Sequence, residues 1–121
     1  MNLTICQMLD LGHKKLIVYK KSIELVSEIY IKTNSYPSEE RYGLVSQLRR
    51  SSISVPSNIA EGASRRSINE RRRFYEISRS SLVEMDTQIE LSIHLKYLSS
   101  NEIISIKKLT NDIFAMLSKM V

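Results

Sequence analysis

Apolar residues recur at helical spacing along nearly the whole chain. Leu16, Tyr19, Ile23, Val26 and Tyr30 follow one another at alternating steps of three and four, which predicts a first helix with one buried stripe. Asn34 and Pro37 in TNSYP are stop signals. A second helix is expected from Ser38, with Ser38 as N-cap and Glu39 and Glu40 complementing the dipole of its first turn. Its stripe is Leu44, Leu48, Val55 and Ile59, with Ser51 or Ser52 between, and Gly62 is read as its left-handed C-terminal cap. Gly43 is read as an interior glycine that permits close helix approach.

The third helix opens at SINE, a capping box from Ser67 to Glu70, and is expected to run to about Leu98. Its stripe is Phe74, Ile77, Ser81, Glu84, Gln88, Leu91 and Leu95. The fourth opens at SSNE, a box from Ser99 to Glu102, with Ile103, Ile106, Thr110, Ile113, Leu117 and Met120 facing inward. Short connections make neighbours antiparallel. The expected fold is therefore all-α: an antiparallel up-down-up-down four-helix bundle over residues 13–121, with residues 1–12 as a flexible leader. No repeat, linker or low-complexity segment interrupts it.

Pro56 breaks the pattern of the second helix. It removes a backbone donor and strains the carbonyl of Ser52, at a cost on the order of 3 kcal/mol unless the helix bends. A kink near Pro56 is expected, with Ser52 and Ser54 bonding the freed backbone groups. Polar residues gather beside it. Ser54, Asn58 and Glu61 share one face of the second helix, while Ser81, Glu84 and Gln88 lie on the predicted stripe of the third. Packed antiparallel, these sets predict a structural hydrogen-bonded network in which Asn58 and Glu61 face Glu84, Thr87 and Gln88, with Arg50, Arg65 or Arg79 as counter-charges.

Composition narrows the class. The chain has 121 residues, of which 42% are hydrophobic and 26% charged, with three Gly and two Pro. This suits one helical domain and argues against a many-turned β fold. No apolar run approaches the roughly 20 residues that span a bilayer, and the first residues lack the features of a signal peptide. Cys6 is the single cysteine, so no internal disulfide framework is possible and a cytoplasmic protein is expected.

Charge is concentrated. Of 18 basic and 13 acidic residues, the block 49–79 holds eight Arg against three Glu, while the flanking segments are nearly balanced. Arginine forks grip phosphates at two points. Arg49, Arg50, Arg65, Arg66, Arg71, Arg72 and Arg73 are the candidate nucleic-acid-binding residues. No cofactor, metal site or catalytic residue is expected. Carboxylate-bridged di-iron bundles need two Glu-x-x-His motifs, and the two histidines, His13 and His94, supply none. Ser57 and Ser81 are read as packing serines, and the phosphate-loop pattern is absent.

The stretches HKKLIVYKKSIELV (13–26), YPSEERYGLVSQLRRSSISVPSNIAEGASRRS (36–67) and RRFYEISRSSLVEMDTQIELSIHLKYL (72–98) resemble a known family. The ordered motif S-x-x-VPSNIAEG followed by F-x-x-x-S-R-x-S-x-x-E-x-x-T-Q is similar to the four-helix-bundle proteins encoded within intervening sequences of bacterial 23S rRNA genes. Ser51 and Ser78 stand where that family usually has small apolar residues, and Asp86 where it commonly has Glu. The resemblance implies a homo-oligomer, a pentameric ring. It also implies kinship with accessory proteins of diversity-generating retroelements, which bind nucleic acid and a reverse transcriptase. It makes Asn58, Glu61, Arg65, Glu84, Thr87 and Gln88 signature positions and attaches no catalytic role to them. The expected function is a non-enzymatic oligomer binding RNA or DNA through the arginines. The alternative is an assembly or adaptor protein whose arginines contact subunits or a protein partner.

Overall fold

The computed structural model describes residues 8–121; the start of the expected leader, residues 1–7, lies outside them. Four α-helices account for most of the chain: α1 Ile17–Thr33, α2 Leu44–Ser64, α3 Ile68–His94 and α4 Ile104–Met120. Short 3₁₀ helices at Gly12–Lys15, Ser38–Glu40 and Ser100–Ile103 precede α1, α2 and α4. Each helix packs on two neighbours in the cyclic order α1, α2, α3, α4. The pairs run antiparallel: Ser51 meets Gln88 while Val55 meets Ser78, and Thr33 meets Arg49 where Tyr19 faces Ala60. Among the described residues no helix is long and apolar enough to cross a membrane.

The core is one cluster through the bundle axis. Leu25, Ile29, Leu48, Val55, Ile59, Ile113 and Leu117 are fully buried, and Leu82, Met85 and Ile106 nearly so. The predicted stripes of α2 and α4 face it. Those of α1 and α3 are displaced by one residue, a turn of about 100°. In α1 the buried set is Val18, Ser22, Leu25, Ile29 and Thr33, whereas Tyr19, Ile23 and Val26 are half-buried and Leu16 and Tyr30 exposed. In α3 the buried set includes Tyr75, Ser78, Leu82, Met85, Ile89 and Ser92, leaving Ile77, Glu84, Leu91 and Leu95 exposed. Each of these helices carries two apolar seams, and spacing alone does not choose between them.

The helix ends also depart from expectation. Ser38–Glu40 forms a separate 3₁₀ turn, and α2 begins only at Leu44. Gly43 is its N-cap rather than an interior residue, because the cap is made by a carboxylate: Glu40 Oε1 accepts from the Leu44 N–H at 3.2 Å. A Cβ on Gly43 would stand 2.6 Å from that oxygen. The other oxygen, Oε2, accepts from the Tyr97 hydroxyl at 3.0 Å, and this bond raises the phenol's pKa above its ordinary value.

At its other end α2 is a continuous helix through Pro56 and Gly62. Gly62 is buried within it rather than capping it. A Cβ there would fall 2.7 Å from the Tyr75 ring and 3.1 Å from the Arg71 carbonyl, so the glycine admits the start of α3 against α2. The Ser52 hydroxyl does not reach its own freed carbonyl and donates to Arg49 O at 3.0 Å; Ser54 turns toward α3.

At the α3 N-terminus Ser67 Oγ accepts from the Glu70 N–H at 3.3 Å, one half of the expected box. The Ser99–Glu102 box is complete, with Ser99 N–H donating to Glu102 Oε1 at 3.0 Å. On the bundle's flank Asp112 accepts from Lys21 at 3.0 Å and Lys108 at 3.2 Å, joining α4 to α1. These two bonds, that from Lys21 first, hold its carboxyl below the ordinary carboxylate value.

α3 stops at His94, about a turn earlier than the spacing suggests, through a Schellman motif. Tyr97 N–H donates to Ser92 O at 2.8 Å and Lys96 N–H to Ile93 O at 3.0 Å. The left-handed residue in this motif is Lys96, at φ 66°, where a side chain is strained and glycine is not. Lys96→Gly is therefore expected to stabilise the bundle by about 0.5–1 kcal/mol, the relief of strain exceeding the added freedom of the unfolded chain. A denaturant midpoint that falls, measured at unchanged slope, would contradict this.

Candidate nucleic-acid interface

The α2–α3 interface is polar along one side, and it splits the predicted network into separate parts. Toward its middle, Ser51 Oγ donates to Gln88 Oε1 at 2.7 Å, and Gln88 Nε2 donates to Glu84 Oε1 at 3.3 Å. One turn on, Ser54 Oγ lies 2.8 Å from Ser81 Oγ and accepts from Asn58 Nδ2 at 2.9 Å. Beyond them Ser78 Oγ donates to the Val55 carbonyl at 2.8 Å. Asn58 also donates to Ser54 O at 2.8 Å. It does not meet Glu84.

Glu61 and Thr87 fall outside the network. Glu61 is exposed, and its carboxylate pairs with Arg65 at 3.1 Å. Thr87 is exposed and turns back to Val83 O. The reason is register. Residues 51, 54 and 55 of α2 pair with 88, 81 and 78 of α3, so Glu61 stands near the level of Phe74 and well away from Glu84. Of the proposed counter-charges, Arg65 does pair with Glu61. Arg79 instead lies over Phe114 and reaches Ser118, and Arg50 borders a cleft with Gln47, Ser54 and Glu84.

The seven candidate arginines do not form one patch. Arg49 serves the fold: it donates to Thr33 Oγ1 at 3.1 Å and Asn34 Oδ1 at 3.3 Å, and its guanidinium lies 4.3 Å above the Tyr30 ring. Arg49 and Arg50 are some 15 residues before Arg65, roughly 22 Å along the helix axis at 1.5 Å per residue. The other five cluster where α2 gives way to α3. Only Arg65, Arg66 and Ser67 separate the two helices, and Arg71, Arg72 and Arg73 follow within two turns.

All five are exposed. Arg65 is shared between Glu61 and the Phe74 ring, 4.8 Å away, and Arg71 Nε donates to the Arg65 carbonyl. Among the described residues, Arg66, Arg71, Arg72 and Arg73 enter no ion pair. Arg71 closes the first turn of α3 and Arg72 and Arg73 begin the second, so the helix dipole supplies no reason for cations at these positions. Among the described residues no three side chains of His, Cys, Asp or Glu converge as a metal site would require.

The model of the 23S rRNA-intervening sequence proteins matches residues 14–119. The chain belongs to that family. A crystal structure from Bacteroides thetaiotaomicron VPI-5482, described as a protein with unknown function from the S23 ribosomal protein family, superposes with a TM-score of 0.78. Its sequence is 22% identical, and the match covers 86% of this chain and 97% of that one. At that identity the likeness speaks for the fold. A comparison with curated proteins finds no match.

The motif that carries the family resemblance, VPSNIAEG with S-R-x-S-x-x-E-x-x-T-Q, thus falls mainly on this α2–α3 interface. In this intervening-sequence protein Ser51 and Ser78 both make buried bonds there. Ser51→Ala would leave Gln88 Oε1, which is buried, without its donor. A loss of about 1–2 kcal/mol is expected by chemical denaturation, partly recovered in the double variant Ser51→Ala/Gln88→Leu. No loss in the single variant would show that the bond carries no net stability.

Proposed function

We propose that this intervening-sequence family member is a non-enzymatic oligomeric bundle that binds RNA or DNA through the arginine cluster at the α2–α3 turn. The observation that carries this is the set of exposed guanidiniums of Arg66, Arg71, Arg72 and Arg73, gathered at one end and, among the described residues, in no ion pair. Contacts of this kind read backbone phosphates and carry little sequence information. The test is binding to a labelled nucleic acid across a salt series. The logarithm of affinity should fall with the logarithm of salt with a slope of about −3 to −5, and replacing Arg72 and Arg73 by Ala should reduce it by about 2. A flat response, or no binding at low salt, refutes the reading.

Self-association is part of the proposal. The displaced seam of α1, with Tyr19, Ile23 and Val26, lines a groove with Ile53, Pro56 and Ala60 of α2, and Ile53 is 41% exposed. Such a face suits a subunit contact, and an oligomer multiplies a modest basic patch. The family resemblance favours a pentamer and extends the range of partners to a reverse-transcriptase-type protein. Ile23→Asp with Ile53→Asp is expected to convert the oligomer to folded monomer, read by light scattering and circular dichroism. An unchanged mass would remove this face from the assembly.

The second reading, an assembly or adaptor protein, is favoured by the part-exposed apolar groove between α1 and α2. It would be preferred if the nucleic-acid titration failed while the assembly persisted.

A further inference from the structure

Antiparallel topology decides which parts of the chain share an end of the bundle. The α2–α3 turn, the Gly12–Lys15 turn that opens α1 and the last turn of α4 all lie at the same end. Contacts bear this out. The Gly12–Lys15 turn packs against α2, His13 stands edge-on to Tyr19 with ring centroids 4.9 Å apart, and Arg79 of α3 meets Phe114 and Ser118 of α4. This brings Lys14, Lys15 and Lys119, from the two extremes of the chain, to the end that holds the five arginines. Lys15 and Lys119 are exposed, and Lys14 is half-buried. The nearby acids are fewer: Asp10, Glu61, Glu70 and Glu76, with Glu61 already bound to Arg65.

The same end offers charge without a stacking platform. Single strands are held by exposed aromatic rings on which bases stack. Here Tyr75 is buried against Gly62. Phe74 lies beneath a guanidinium, Phe114 is 40% exposed but has Arg79 over its ring, and Tyr19 is engaged by His13. Tyr42 is 88% exposed, but it precedes α2 at the opposite end, roughly 30 Å away by helical rise. Four helices of about 10 Å diameter packed side by side present an end about 20 Å across. A duplex carries one phosphate per roughly 1.7 Å of axis on two strands, and a broad basic end whose described rings are buried or engaged by other groups matches that lattice.

We infer that the polyanion surface is the whole basic end of the bundle, extending onto Lys14, Lys15 and Lys119, and that it takes the phosphate backbone of a nucleic-acid duplex. This rests on the nucleic-acid reading above and narrows it. The test uses the full chain and a fluorescent DNA duplex of about 20 base pairs, compared with its separate strands, one carrying 2-aminopurine. The duplex should bind more tightly and with the steeper salt slope, near −0.9 per phosphate contacted against −0.7 for single strands. The 2-aminopurine signal should not change.

Replacing Lys14, Lys15 and Lys119 together by Ala should lower the duplex slope by about 2 to 3 at unchanged melting temperature. Strands that bind as tightly as the duplex and alter the 2-aminopurine signal overturn the duplex inference while leaving nucleic-acid binding in place. An unchanged slope in the triple variant overturns the extension onto the lysines. Failure of both duplex and strands to bind refutes the nucleic-acid reading itself.

Discussion

The close approach of α2 and α3 is the constraint on which the rest of the bundle depends. It is made with small residues. Gly62 leaves room for the Tyr75 ring, and serines at 51, 54, 78 and 81 occupy the contact where larger side chains would hold the helices apart. Small polar residues near a core are tolerable only when each hydroxyl finds an acceptor. Ser78 does so across the interface, on the Val55 carbonyl, and Ser51 does so on Gln88. These bonds are directional, so they define a register that apolar packing alone would leave looser. That register then determines the neighbours of the arginine turn.

Much of this was legible along the chain. Leu48, Val55 and Ile59 in α2, and Ile106, Ile113 and Leu117 in α4, lie on stripes whose spacing has one solution, and the Ser99–Glu102 box is where it should be. α1 and α3 were ambiguous because each has apolar residues on two adjacent faces. Tyr19, Ile23 and Val26 follow the heptad rhythm as well as Val18, Leu25 and Ile29 do, and only tertiary packing separates them. The early end of α3 was hidden because its cap uses Lys96 where glycine is the usual signal. The late start of α2 was hidden because Glu40, four residues before its first residue Leu44, caps it.

The candidate site shows the same division. The arginine excess of residues 49–79 is plain in the sequence, but its division into a structural residue, Arg49, and a terminal cluster requires the bundle. So does the distance between Glu61 and Glu84, which sequence reasoning paired because one lies beside the stripe of the second helix and the other on the predicted stripe of the third. Their separation follows from where the short turn at Arg65–Ser67 starts the returning helix of the hairpin. Lys14, Lys15 and Lys119 gave no local signal at all. They are more than a hundred residues apart at the extremes, in segments with nearly balanced charge, and only the topology brings them together.

The Glu40 carboxylate has a consequence for how this chain can change. One oxygen holds the first turn of α2 and the other holds Tyr97, in the connection between α3 and α4. Two loops far apart in the gene thus draw on a single side chain. The dependence runs one way: a change at Tyr97 leaves the Leu44 N–H on its own oxygen, whereas a change at Glu40 releases both donors at once, so the acid is the less replaceable partner.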